Sequence, residues 1–212
     1  MYLCPMIFVT GGTGLVGSHI LLKLSQQFKE FKALKRATSS LEVCKSVFAY
    51  YSAVELFAKI NWVDGDVNDI PSLENAMDEC EQVLHCAAMV SFHAVDADLL
   101  KKVNIEGTAN VVNVALSKGV KKVGYISSIA TLGRNSTVGL VDEECHFKAT
   151  KLDSNYAFSK YFAEQEVWRA SQEGLDVVIV NPSVILGPGD WNKGSSQIFL
   201  RLYKGLKFYT SG

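Results

Sequence analysis

The 212 residues are 48% hydrophobic and 20% charged with a formal net charge of −1, the balance of a soluble globular chain long enough for one well-buried domain. Near-neutral charge without a Lys/Arg-rich run leaves no electrostatic footprint for nucleic acid or an anionic membrane as partner. No apolar stretch reaches the length of a membrane span, the opening Met1-Tyr2-Leu3-Cys4-Pro5 lacks a signal peptide's basic region, and the five scattered cysteines (Cys4, Cys44, Cys80, Cys86, Cys145) include no C-x-x-C pair, so a reducing, cytoplasmic setting is expected.

The first predicted strand, Ile7 to Val9, runs into Thr10-Gly11-Gly12-Thr13-Gly14-Leu15-Val16-Gly17 and then an amphipathic helix over Leu15–Phe28. A strand, a glycine turn and a helix N-terminus in that order form a dinucleotide pyrophosphate site: the glycines let backbone N–H groups approach phosphate, and the helix presents unpaired donors and its positive dipole end. Further strands are expected at Phe31–Lys35, Ile60–Val63, Gln82–Cys86, Lys122–Ile126 and Asp176–Val180, with helices near Ser72–Cys80, Ala97–Lys118 and Ser154–Glu173. This alternation predicts an α/β fold, a doubly wound parallel sheet with helices on both faces and its ligand beyond the carboxyl ends of the strands. After Asn181-Pro182 come the loop Gly187-Pro188-Gly189-Asp190, one short helical piece and Thr210-Ser211-Gly212. The expected division is a nucleotide-binding domain over 1–183 and the start of a substrate-binding lobe over 184–212, most of that lobe being absent.

A second constellation lies later in the chain. Tyr156-Ala157-Phe158-Ser159-Lys160 is a Y-x-x-x-K on a predicted helix, so phenol and ammonium share a face, and a nearby cation favours the phenolate. Tyr203 to Lys207 has the same spacing but reads as a surface turn. Upstream, the strand Lys122–Ile126 ends in Ser127-Ser128, which puts a hydroxyl at the ligand end of the sheet. Ser128, Tyr156 and Lys160 make a coherent set for polarising and protonating a carbonyl during hydride transfer. His85 and His93 have no partner at metal-ligand spacing, and no metal is expected.

With these residues together the chain resembles the extended short-chain dehydrogenases/reductases of the NAD-dependent epimerase/dehydratase family, in the dihydroflavonol 4-reductase-like and 3β-hydroxysteroid dehydrogenase-like branch. The matching motifs are Thr10 to Gly17 (T-G-x-x-G-x-x-G), Gly65-Asp66-Val67, His85-Cys86-Ala87-Ala88, Val103-Asn104-Ile105-Glu106-Gly107-Thr108, Ser127-Ser128-Ile129, Tyr156 to Lys160, and Asn181-Pro182-Ser183 with Gly187-Pro188-Gly189-Asp190. The resemblance implies an NAD(P)-binding Rossmann fold with Tyr156 as general acid/base and Lys160 on the nicotinamide ribose, lowering the phenol's pKa. It implies Ser128 on the substrate carbonyl and Asn104 in a proton relay. Gly11, Thr13, Gly14, Leu15, Val16 and Gly17 would take the pyrophosphate, Asp66 and Val67 the adenine, Ala87 and Ala88 the adenosine side, and Pro182 and Ser183 the nicotinamide. It also implies a homodimer through the helices near Ala97–Lys118 and Ser154–Glu173.

Lys35-Arg36 stands about twenty residues beyond the glycines with no acid at that strand end; cations there suit the 2′-phosphate of NADP, where an acid would bind the ribose of NAD. NADP is the expected cofactor and NAD the alternative. The leading expectation is an NADP(H)-dependent oxidoreductase acting on the carbonyl or secondary alcohol of a small organic substrate. The largely apolar loops Met89-Val90-Ser91-Phe92, Ala130–Arg134 and Ile185–Trp191 suit a ring-bearing or aliphatic ketone. A nucleotide-sugar epimerase with retained NAD is the first alternative. A sugar dehydratase is disfavoured because Ile129-Ala130 follows Ser128 where that branch has an Asp-Glu pair. A non-catalytic NADP-binding regulator is the second, ranked last because Tyr156 and Lys160 are both present.

Overall fold

The computed structural model describes residues 5–133, 141–150 and 153–205. Its centre is a sheet of six parallel strands, β1 (Ile7–Thr10), β2 (Phe31–Lys35), β3 (Ile60–Asp64), β4 (Gln82–His85), β5 (Lys122–Ile126) and β6 (Asp176–Val180), in the order β3-β2-β1-β4-β5-β6. The order reverses direction between β1 and β4. In a doubly wound sheet this is the switch point, where the connections leave in opposite directions and open a crevice at the carboxyl ends of the strands.

Alternation along the strands sorts their side chains into two cores. Phe8, Leu34, Val83, Val123 and Tyr125 face the helices α3 (Ile70–Ala76), α5 (Gly107–Ser117) and α6 (Asn155–Gln172). Ile7, Val9, Phe31 and Ala33 face α1 (Leu15–Gln27) and α2 (Glu42–Tyr50) on the other side. α2 has no counterpart in the sequence expectation, although Cys44, Val47 and Phe48 are its buried stripe at helical spacing. On the α1 side the cover stops short of the edge strand, and Val178 and Val180 of β6 remain 51% and 50% exposed. The expected helix Ala97–Lys118 is continuous but not uniform: α4 (Ala97–Leu100) passes into a π-helical stretch, Lys101–Glu106, before α5 begins. No helix among the described residues is long and apolar enough to cross a membrane.

One expectation needs correction. The chain does not lack most of the lobe after β6, because residues 184–205 are packed structure. Ser195 Oγ donates to the Ile185 carbonyl and Ser196 Oγ to the Gly187 carbonyl at 3.2 Å, and Trp191 meets Phe199 of the helix α7 (Gln197–Tyr203) edge to face. Gly187 and Gly189 bring this segment onto His19 and Leu15 of α1. The sequence shows only a glycine-rich loop and one short helical piece here because the segment folds by backbone capping and by resting on α1, which leaves little apolar periodicity of its own.

A polar thread runs through the middle of the sheet. His85, fully buried on β4, pairs through Nδ1 with Thr10 Oγ1 at 2.6 Å and through Nε2 with Thr108 Oγ1 at 2.9 Å. Burial, with the nearby Lys160 charge, pushes the imidazole down to about 3. A base whose folded-state pKa lies below its unfolded value of about 6.5 contributes stability that is full above that value and falls as pH drops toward the folded one. The thermal midpoint should therefore decline between pH 6.5 and about 3, and less steeply in His85→Gln, as calorimetry across that window would read.

The glycine turn sets a second test. Gly11 adopts φ +71°, and a Cβ on Gly17 would lie 2.1 Å from the Gly11 carbonyl oxygen, whereas one on Gly14 would meet nothing nearer than 3.5 Å. Gly17→Ala should lose about 2 kcal/mol or more in urea unfolding. Gly14→Ala should unfold like the parent.

Candidate functional site

One half of the crevice forms because β1 ends in a turn with no side chain in the way. A Cβ on Gly11 would sit 2.5 Å from the Ala87 nitrogen, so the turn presses backbone to backbone on the end of β4. Ala87 N–H donates to Thr10 Oγ1 at 3.3 Å. Gly14 N–H donates to the Gly11 carbonyl at 3.1 Å and starts α1, whose N-terminus has no side-chain cap and no acid in its first turn. Such a terminus leaves donors and positive potential for an anion.

Gly11, Thr13, Gly14, Lys35, Arg36, Asp66, Val67, Ala87 and Ala88 line one cavity of about 400 Å³, joined by Ser39, Cys86, Met89 and Val103. Leu15 and Val16 instead line a separate, almost wholly apolar groove with His19, Ile20 and Ile185–Gly187, and Gly17 is buried beneath the turn. Asp66 Oδ1 accepts from the backbone and side-chain nitrogens of Asn68 at 2.9 and 3.2 Å, fixing the β3 exit. Val67 packs on Gly107, and its carbonyl accepts from Asn110 Nδ2 at 3.0 Å. Lys35 forms an ion pair with Asp64, its partner in the β2–β3 register. The sequence reading found no acid at the end of β2; the adjacent strand supplies one, and Arg36 is left as the cation without such a partner among the described ion pairs.

The second half of the crevice is built on β5, β6 and α6. Ser154 caps α6 by accepting from Ala157 N–H at 3.1 Å, which places Tyr156 in the first turn and Lys160 one turn on. Ser128 accepts from Ala130 N–H at 3.1 Å, so it does cap a turn, but its own proton remains available on the side of the Tyr156 phenol. Burial raises that phenol above its usual range and the Ser128 hydroxyl opposes the rise. Phe92, 75% exposed, stands edge-on to the Tyr156 ring at 5.8 Å. Pro182 is half-buried and Ser183 exposed beside this loop, where the Pro182 carbonyl accepts from Ile129 N–H at 3.1 Å.

Lys160 is 1% exposed. Its Nζ donates to Tyr125 Oη at 2.7 Å and to the Ile126 carbonyl at 2.9 Å, leaving one proton uncommitted. Burial lowers the ammonium to about 7, with Glu164 and Cys86 resisting the fall. Desolvation pushes the Cys86 thiol up to about 12 and the Tyr125 phenol well above its usual range. The Asn104 side chain is already satisfied: Oδ1 accepts from Met89 N–H at 2.7 Å, and Nδ2 donates to the Met89 carbonyl at 3.0 Å and to Ser159 Oγ at 2.8 Å.

Tyr125, Ser159, Glu164 and Asn181 were absent from the sequence-based candidates. Glu164 had a readable signal, since positions 156, 160 and 164 form one stripe on a helix. Arg134 and Lys207 lie outside the described residues, and the Tyr203 side of the second Y-x-x-x-K is 90% exposed, as a surface turn requires. His93 sits in a loop, and no cluster with metal-ligating composition occurs among the described residues.

The chain is 37% identical over 183 residues to a Synechocystis protein named "Putative dihydroflavonol 4-reductase", covering 86% of this chain and 50% of that one. It is 31% identical to sterol demethylase protein B of Methylococcus capsulatus and 30% identical to UDP-glucose 4-epimerase of Vibrio cholerae, each match covering 86% of this chain and 52% of the relative. It therefore spans about half the length of the curated relatives it matches. The crystal structure of gox2253 superposes with a TM-score of 0.79 at 33% identity, over 95% of this chain and 58% of that one. Bordetella bronchiseptica WbmH in complex with NAD+ shares the fold, with a TM-score of 0.76 at 23% identity over 95% of this chain and 63% of that one. Coverage this broad takes in residues beyond β6, in keeping with the corrected view of that segment. The NAD dependent epimerase/dehydratase family model matches residues 7–207, so the crevice and the sheet around it are those of a member of that family, an extended short-chain dehydrogenase/reductase.

Proposed function

We propose that the chain transfers hydride between a nicotinamide cofactor and the carbonyl or secondary alcohol of a small organic substrate. The observation that carries this reading is that Ser128, just past the carboxyl end of β5, lies beside the Tyr156 phenol, with Lys160 one turn along α6. The residues present fit a dinucleotide: the Gly14 position has space for a close approach, the α1 terminus is uncapped, and the cavity joins both to the ends of β2 and β3. Gly11, Thr13 and Gly14 with the first turn of α1 would hold the pyrophosphate, Asp66 and Val67 the adenine, Ala87 and Ala88 the adenosine side, and Pro182 and Ser183 the nicotinamide.

When bound, the nicotinamide supplies or accepts the hydride. The chain's own residues handle the proton. Ser128 donates to the substrate oxygen, and Tyr156 Oη, kept protonated by its buried setting, gives its proton to that oxygen in the reductive direction. Lys160 offers its remaining proton to the ribose. Asn104 acts through Met89 and Ser159, which in turn donates to the Tyr156 carbonyl at 2.8 Å; its side chain holds the loop and the helix rather than passing a proton. Phe92 beside the phenol and the exposed Val90 favour an apolar, ring-bearing ketone over a charged substrate. Tyr156→Phe should lower turnover of a reducible ketone at least ~100-fold while leaving NADPH affinity within a few-fold, read by steady-state rates and nucleotide fluorescence.

Arg36 supports NADP, because an arginine fork matches a phosphate. Lys35 contributes less than its charge suggests, since Asp64 neutralises it. Arg36→Ala should abolish a preference for NADPH over NADH, and Asp64→Asn should strengthen NADPH binding by releasing Lys35, both read by titration at fixed ionic strength. The Lys35–Asp64 pair also favours a second reading, an epimerase that retains NAD; co-purified NAD that does not exchange would select it.

A further inference from the structure

Glu164 lies on the stripe of α6 that carries Tyr156 and Lys160, one turn past the lysine, and none of the chemistry above uses it. Its residue is 9% exposed, yet both oxygens are met. Oε2 accepts from Ser127 Oγ, from Thr131 Oγ1 at 2.8 Å and from Asn181 Nδ2 at 2.9 Å, and Oε1 from Trp168 Nε1 at 3.3 Å. Three of these donors sit on the two segments that form the reacting end of the crevice: the exit of β5 with the turn after Ser128, and the exit of β6 before Pro182. Thr131 Oγ1 and Asn181 Nδ2 also reach the Ser128 carbonyl, at 2.9 and 3.3 Å. A buried carboxylate is a costly way to hold a fold together, and apolar side chains of similar volume often do as well. Its value here lies in what it orients.

The electrostatics point the same way. The groups facing Lys160 are Tyr125 and the Ile126 carbonyl on β5, His85 and Cys86 at the end of β4, and Tyr156 and Glu164 on its own helix. At neutral pH His85 is uncharged, and the Cys86 thiol and both phenols keep their protons because burial raises them. Glu164 is the one facing group left to supply negative charge.

We infer that Glu164 is a positioning residue: it pins the Ser128 turn and the Asn181–Pro182 exit to α6 and supplies the negative charge that keeps the Lys160 ammonium in its buried seat. The inference rests on the reading of Lys160 as the residue against the cofactor ribose. Removing the charge leaves desolvation of Lys160 less opposed, so the lysine loses its proton at lower pH.

The test is a fluorescence titration of the chain with NADPH from pH 5 to 9, parent against Glu164→Gln, with thermal midpoints recorded alongside. Affinity in the parent should fall as pH rises through about 7, where Lys160 deprotonates. In Glu164→Gln that step should move down by about one pH unit, with affinity below the step within a few-fold of the parent. If Glu164→Gln does not fold, Glu164→Asp is read instead; its charge is drawn back along the helix, so its step should move the same way by less. An unmoved step accompanied by uniform weakening overturns the proposal and leaves Glu164 a fold residue. A parent that binds neither NADPH nor NADH overturns the cofactor reading itself, an outcome distinct from a step that is present but does not move.

Discussion

Backbone lies against backbone where β1 turns into α1, and the crevice exists because of it. The Gly17 and Gly11 positions leave no room for a side chain between the helix start, the turn and the end of β4. This contact draws the start of α1 toward the switch point of the sheet, so an uncapped helix terminus looks across at Ala87 and Ala88. A helix terminus elsewhere on the surface would be hydrated; here its donors line a cavity shared with the exits of β2 and β3.

Behind the crevice a thread of hydrogen bonds and one ring stack crosses the sheet. It runs from Thr10 on β1 to His85 on β4 and Thr108 on α5; the His85 ring stacks on Tyr125 of β5, whose Oη accepts from Lys160 on α6. In a low-dielectric interior each member is held by its neighbours, and an unpaired one would be costly. The thread explains how a lysine can be almost fully enclosed: two of its three donors are spent on Tyr125 and the Ile126 carbonyl, which leaves one. It also links the glycine turn to α6 through buried side chains.

What the sequence reveals of this arrangement is its local part. All six strand segments, each within one residue of its observed bounds, and both chemical motifs are legible because strand, turn and helix signals are each set by a handful of adjacent residues. α2 was missed although Cys44, Val47 and Phe48 have helical spacing, because its nine residues make a short stripe beside a polar stretch. The Lys35–Asp64 pair depends on strand register between residues far apart in the chain, which no local pattern encodes. Glu164 shares a helix face with Tyr156, but its meaning comes from Ser127, Thr131 and Asn181, brought to it by two separate strands. The segment after β6 was misjudged for the same reason, since its packing surface belongs to α1.

The π-helical stretch between α4 and α5 has an evolutionary consequence. A π turn holds one residue more than an α turn, so this stretch accommodates a residue that regular α-helical winding over the same length would not. Deleting one residue between Leu100 and Gly107 would restore regular winding and turn one end of the helix by about 100° relative to the other. Asn104 would then swing away from Met89 and Ser159, or Val111 and Ala115 would leave the core. The length of this segment is thus locked even where its individual residues are free to vary, and indels should be purged there more strictly than substitutions.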